Sequence, residues 1–282
     1  MNIKIKFIGL TIFSTLFVPF SVSAERDSLI LGVHPFLSND AIIKKFSPLA
    51  KYLTKQTGID IKVRVGSSYD EHIQYVGLNK VDIAFMGPAS YVNMVNTYEN
   101  KPILARLEVK GVPYFKGNII ARKDSNIKTL KGLKGKRIAF GDPNSTMSYI
   151  VPHHILHKAG VFKNRLTKHE FLHSHTNVVL GVLSGDYDAG AVKPSVFKKF
   201  EDKGLVIIAE TPKISEHLFV VRSNLSTNKI NALRTAMLNI KKSKKGMSAL
   251  KAIKNSITNL VAATSNDYAN LRKIIIETEK IH

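Results

Sequence analysis

Short apolar runs and longer amphipathic segments take turns along nearly the whole of this chain. Leu29 to Val33 reads as a strand. Asn39 to Thr57 reads as a helix, with Ile42, Ile43, Phe46, Leu49, Ala50 and Leu53 on one face and Gly58 as its stop. Asp60 to Val65 is a second strand, followed by the polar turn Gly66-Ser67-Ser68-Tyr69 and a helix from Glu71 to Leu78. Val81 to Met86 is a third strand. It runs into Gly87-Pro88, where proline's fixed φ and missing N–H suit the first turn of another helix. The same order resumes after Asn118. Alternation of this kind points to the α/β class, with mostly parallel sheets flanked by helices.

The segment Val81-Asp82-Ile83-Ala84-Phe85-Met86-Gly87-Pro88 has an echo in Tyr187-Asp188-Ala189-Gly190-Ala191-Val192-Lys193-Pro194. In each, an Asp opens a buried strand and a Pro six residues later opens a helix. Two such units, far apart in sequence, suggest two similar lobes with a cleft between them. The two aspartates are expected to satisfy turn N–H groups just ahead of their strands. In open α/β sheets, ligands bind beyond the carboxyl ends of the strands. Four turns fall at such ends: Ser67 to Asp70, Gly87-Pro88, Asp142 to Thr146, and Lys193-Pro194.

The third of these turns carries the most chemistry. Arg137 to Phe140 reads as a strand, Gly141-Asp142-Pro143-Asn144-Ser145-Thr146 as a turn, and Met147 to Ala159 as a helix stopped by Gly160. The first N–H groups of a helix lack internal partners, and its dipole makes that end positive. Ser145 and Thr146 add two hydroxyl donors there. The arrangement suits a phosphate-like oxyanion. A serine in that position equally serves as a plain helix cap.

Composition narrows the setting. Lys4 and Lys6, the apolar run Phe7 to Phe20, and Val22-Ser23-Ala24 before Glu25 form a secretory leader over residues 1–24, with the apolar run short for a membrane span. There is no Cys. A disulfide, a lipid-bearing N-terminal thiol and a Cys-ligated metal are all excluded. An exported protein of this kind fits a bacterial periplasm. The formal charge of +21 draws anions. Export, and the lack of aromatics interleaved with the basic residues, argue against nucleic acid as the partner. The dense run Lys241-Lys242-Ser243-Lys244-Lys245 reads as a solvated helix end or loop.

Gly141 to Thr146 with Tyr149 to Pro152 resembles the signature loop of the periplasmic phosphate/phosphite/phosphonate-binding proteins of ABC importers. Val81 to Pro88 resembles that family too, as do His175-Thr176-Asn177 ahead of a helix and Tyr69 after the second strand. The resemblance runs from about Leu29 to Asn259. It implies a type II-like two-lobed fold that closes on its ligand. One lobe would span 25–107 plus 215–282 and the other 108–214. It also implies a monomer without cofactor, metal or catalytic residues, working with an inner-membrane ABC permease. Carried over by position, the oxyanion contacts fall on Tyr69, Ser145, Thr146 and His175, with Gly87, Pro88 and Lys193 beside them.

Two departures bear on the ligand. Members that take an aminoalkyl phosphonate carry carboxylates for the ammonium, whereas Ala191-Val192-Lys193-Pro194-Ser195 offers a lysine. A family aromatic is replaced by Met86. Lys193 would repel an ammonium, so phosphate, phosphite or a carboxylated phosphonate is expected.

Other classes stay open. The same module can report its ligand to a membrane sensor. His153 and His157, four apart on a helix, can chelate a divalent metal, and His169, His173 and His175 extend that histidine-rich region. An enzyme is disfavoured, since Gly-x-Ser-x-Gly, His-Glu-x-x-His and P-loop motifs are missing.

Overall fold

The structure is a computed structural model that describes residues 28–279. The expected leader at 1–24 lies outside the described residues. The chain begins with β1 (Ser28–Val33), α1 (Asn39–Thr57), β2 (Asp60–Val65), α2 (Tyr69–Gly77), β3 (Ile83–Met86), α3 (Pro88–Thr97) and β4 (Ile103–Val109). It continues with β5 (Tyr114–Phe115), β6 (Asn118–Arg122), β7 (Arg137–Phe140), α4 (Val151–Lys158), β8 (Lys168–Phe171), α5 (His175–Leu183), β9 (Ala189–Val192), α6 (Pro194–Phe197), β10 (Leu205–Glu210) and β11 (Ile214–Ser215). Last come β12 (Leu218–Val221), α7 (Thr227–Leu238), α8 (Lys244–Ile253), β13 (Ile257–Val261) and α9 (Ala269–Glu279).

Two mixed sheets result. One has six strands in the order β13-β4-β12-β3-β1-β2, the other five in the order β10-β6-β9-β7-β8. Parallel pairing is confined to β2-β1-β3 and β8-β7-β9, where strands consecutive in sequence are joined by crossover helices. The flanking strands are antiparallel, because they belong to the stretches that leave one sheet and return to it. The two connections between the sheets lie side by side as β5 and β11, an antiparallel pair in which Ile214 faces Phe115.

Strand alternation divides the core cleanly. Leu29, Leu31, Val33, Phe85 and Phe219 face α1, α7 and α8, while Ala84, Met86, Leu218 and Val220 face α2, α3 and α9. In the second sheet Ile119, Ile138 and Phe140 pack with Leu156 of α4, and Ile120 and Ala139 with Val178 of α5. Helix α1 buries Ile42, Phe46, Leu49, Ala50 and Leu53, but Ile43 is 44% exposed and lies off that stripe. The lysine run 241–245 is an exposed junction, where Ser243 caps α8 by accepting the Gly246 N–H.

Asp82 and Asp188 do the same work in the two sheets. Asp82 Oδ2 accepts the N–H of Ile30 at 2.8 Å and its Oδ1 takes Arg222 Nε at 2.7 Å. Asp188 Oδ2 accepts the N–H of Arg137 at 2.8 Å, and the Arg137 guanidinium pairs with the same carboxylate. The N–H groups served belong to the neighbouring parallel strand rather than to the turn ahead of each aspartate.

Candidate functional site

The turn after β7 is built on serine and threonine oxygens. Ser145 caps the helical segment that follows, its Oγ accepting the Ser148 N–H at 3.2 Å. The single helix expected from Met147 to Ala159 is in fact a π turn, Thr146–Ile150, leading into α4. Pro152 explains the break. In a regular helix Ser148 would lend its carbonyl to residue 152, which has no N–H to give. That carbonyl instead accepts the Gly141 N–H at 3.3 Å, and the Ser145 carbonyl takes Ile150 N–H five residues on, at 3.0 Å. Gly141 has no room for a side chain, since a Cβ there would lie 2.6 Å from Ser148 Oγ.

The same turn reaches across to the first sheet. Thr146 Oγ1 accepts the N–H of Ala89, in the first turn of α3, at 3.0 Å. Asn144 donates to Asp70 Oδ1 at 2.7 Å and accepts from Asn93 Nδ2 at 3.0 Å. Ser145 and Thr146 are both buried. Each hydroxyl oxygen is thus engaged by a backbone N–H, which leaves its own proton to be donated.

Tyr69 was expected in the turn before a helix beginning at Glu71; it is the first residue of α2, behind Ser68, whose Oγ accepts the Glu71 N–H. Its ring lies 4.9 Å from that of His34. Burial, and then the Asp142 carboxylate, push its hydroxyl well above the ordinary tyrosine value. The phenol therefore stays protonated and able to donate.

His175 is not a helix cap. Ser174 has that role, accepting the Asn177 N–H at 3.1 Å. His175 Nδ1 accepts the Lys193 backbone N–H at 3.3 Å, so the proton of the neutral ring sits on Nε2. Burial first, then the charges of Lys193 and His217, hold its pKa well below the usual range. His175 offers a neutral N–H rather than a charge. Lys193 stands at the start of α6 with its ammonium 5.0 Å over the Phe36 ring. Burial, and next Lys254, bring its pKa down to about 8, against the opposing pull of Glu216. It remains mainly an ammonium at neutral pH.

Of the expected residues, Thr146 meets the turn of Gly87 and Pro88 through Ala89, His175 meets Lys193, and Tyr69 faces the Asp142 turn. Four neighbours went unforeseen: His34, His72, Glu216 and His217. His34 follows β1 directly and could have been flagged by the carboxyl-end rule. The Phe85 carbonyl accepts from His34 Nδ1 at 3.2 Å and from His72 Nε2 at 3.1 Å. Burial pushes the His72 pKa from 6.5 down to about 4, against the opposing hydrogen bond to Phe85. Burial, then His217 and His72, hold His34 well below its ordinary value.

These rings must be neutral in the folded chain, while the unfolded chain takes up their protons. Their stabilisation is complete above the ordinary histidine value and is lost as pH falls toward the folded one. For His72 the window runs from 6.5 down to about 4, and the loss at its lower end is about 3 kcal/mol. The melting temperature should drop across that window, and His72→Leu should flatten the drop. An unchanged pH profile in His72→Leu would rule this account out.

His153 and His157 have separate engagements. His153 is buried and stacks on Tyr149 at 5.1 Å, and His157 meets the edge of Phe162 at 4.8 Å. Among the described residues no group of three or more His, Asp or Glu is arranged to hold a metal ion, and no helix is long and apolar enough to cross a membrane.

The family profile of the ABC transporter, phosphonate, periplasmic substrate-binding proteins matches residues 31–268. This chain belongs to that family. It is a solute-binding component of an ABC importer. The phosphate-import protein PhnD of Mycolicibacterium smegmatis is 30% identical over 236 residues, covering 77% of this chain and 74% of the relative. The probable ABC transporter phosphite binding protein PhnD1 of Prochlorococcus marinus is 27% identical over an alignment of 288 residues, covering 95% and 96%. The solved structure of PhnD1 from Prochlorococcus marinus in complex with methylphosphonate has a TM-score of 0.81 at 24% identity, over 90% of this chain and 99% of that one. That likeness establishes the shared two-lobed α/β fold.

Proposed function

We propose that this periplasmic protein captures a small phosphorus oxyanion between two lobes, 25–107 plus 215–282 and 108–214, and presents it to an inner-membrane permease. The observation that carries this reading is the pair of buried hydroxyls on Ser145 and Thr146. Both oxygens accept from backbone N–H groups, so both protons are left for an acceptor. His175 adds a neutral Nε2–H, Tyr69 a phenol and Lys193 an ammonium. Three phosphoryl oxygens call for several converging donors of this sort. The names of the relatives, which import phosphate or bind phosphite, agree with that ligand class.

The side-by-side β5 and β11 suit a hinge, and closure is stabilised by contacts that the ligand makes to both lobes. Lys193 favours an anionic ligand over one bearing an ammonium. The protein binds without turnover and acts as a monomer.

Thermal melting with phosphate, phosphite, methylphosphonate, 2-aminoethylphosphonate, sulfate and Zn²⁺ tests the reading. A ligand at about 100 times its Kd adds about 2.7 kcal/mol, a shift of several degrees for a chain of this size. Phosphorus oxyanions should produce it and Zn²⁺ should not. No shift with any phosphorus compound, or one with Zn²⁺ alone, would overturn the assignment.

A further inference from the structure

Two polar side-chain atoms lie beside Gly87. A Cβ built on that glycine would meet only Ser90 Oγ at 3.7 Å and His217 Nε2 at 4.0 Å. Ser90 is the third residue of α3 and is fully buried, yet its hydroxyl has no hydrogen-bond partner. Leaving a buried hydroxyl unpaired is costly, so such a group marks a place where a partner comes and goes.

His217 is aimed with more care than a surface histidine needs. The Glu216 carboxylate, buried at 3% side-chain exposure, accepts both the His217 backbone N–H at 3.0 Å and the ring Nδ1 at 2.9 Å. A carboxylate only accepts here, so Nδ1 holds a proton and Nε2 is the free nitrogen. The ring is stacked on Phe85 at 5.4 Å and 11°, which fixes its plane. Its position follows from topology, because β12 runs antiparallel to β3 and pairs Leu218 with Met86. The residue that precedes β12 therefore stands beside the residue that follows β3.

We propose that Ser90 and His217 form the first-lobe wall of the ligand site and select for oxygen as the fourth substituent on phosphorus. This rests on the oxyanion site described for Ser145 and Thr146. Three phosphoryl oxygens are common to phosphate, phosphite and alkylphosphonates, and the donors of the second lobe do not tell these ligands apart. The fourth position does. Protonated, His217 Nε2 donates to P–O⁻; neutral, it accepts from P–OH. The Ser90 hydroxyl can likewise donate or accept. A hydrogen or methyl group on phosphorus satisfies neither and leaves both polar atoms unpaired. Phosphate is therefore the preferred ligand.

Calorimetric titration of the mature protein with phosphate, phosphite and methylphosphonate tests this, using wild type, Ser90→Ala and His217→Phe. Wild type should bind phosphate tightest. Each variant should lose phosphate affinity by about tenfold or more and hold methylphosphonate affinity within about threefold. Glu216 acts through His217 as a positioning residue. Glu216→Gln should lower phosphate affinity about as much as His217→Phe, and the double variant no further. Wild type that fails to prefer phosphate, or variants that lose all three ligands equally or none, would overturn the proposal while leaving the oxyanion site standing. Wild type that binds no phosphorus oxyanion at all would instead remove the oxyanion site, and this proposal with it. Ser90→Ala removes one buried oxygen without altering the helix, so it keeps the test decisive even if His217→Phe folds poorly.

Discussion

Replacing Ser145 and Thr146 together by alanine is expected to weaken oxyanion binding by at least about a hundredfold while leaving a folded protein. Each hydroxyl offers a charge-assisted hydrogen bond worth about 1.5–3 kcal/mol, and every 1.4 kcal/mol is tenfold in affinity. The structural cost is smaller. Ser145 Oγ holds the Ser148 N–H, and losing a cap of this kind costs about 1 kcal/mol. Thr146 Oγ1 holds the Ala89 N–H across the lobes, so its loss weakens the closed form as well as the ligand contact. The exchange Ser145→Thr with Thr146→Ser keeps both hydroxyls and should retain most of the affinity. Titration of the two double variants beside wild type separates a donor role from a shape role. Normal binding by the alanine pair would place the site elsewhere.

Parts of this architecture can be read directly from sequence. Helix α1 is legible at both ends, because an amphipathic stripe runs up to Gly58, whose φ of 73° is one that glycine adopts freely. Strand β2 is equally plain as an alternation of charged and apolar residues, and β7 as a short apolar run, each between turn residues. Turn chemistry marks Ser145 and Thr146, and Tyr69 and Lys193 stand in turns at strand ends, but the site roles of Tyr69 and His175 come from the family resemblance. What pattern cannot supply is strand direction. Four of the nine pairings within the two large sheets are parallel, and nothing in the apolar run Leu218 to Val221 says that it returns antiparallel beside β3. His217 was missed for that reason alone. The π turn was missed for a different one: it depends on which N–H replaces the one Pro152 lacks, and Gly141 lies eleven residues before that proline.

Asp82→Ala is expected to be among the most damaging single changes outside the ligand site. Sequence marks this residue only as one half of an internal echo, but the structure puts it at the foot of the first sheet. Its side chain is fully buried. One oxygen takes the Ile30 N–H within β1 and the other takes Arg222 Nε, so a single carboxylate ties β1, β3 and the residue after β12 together. Alanine would strand a backbone N–H and the Nε of a guanidinium whose side chain is only 11% exposed, leaving that cation with the Asn224 oxygens on Nη1 and no carboxylate. Removing one partner of a buried ion pair costs about 3–5 kcal/mol, because the charge left behind is uncompensated. For a chain of this length that is a fall in Tm of about 10 °C. Asp60→Ala is the matched comparison. Asp60 pairs with Lys62 at 3.5 Å with both side chains more than half exposed, and its loss should stay within about 0.5 kcal/mol. Asp82→Ala should also bind ligand normally at a temperature where it is folded, since the carboxylate stands at the start of β3 and the proposed ligand site lies beyond the end of that strand. A Tm close to that of Asp60→Ala would mean that Arg222 and Ile30 find other partners, and that the echo between Asp82 and Asp188 carries no stabilising role.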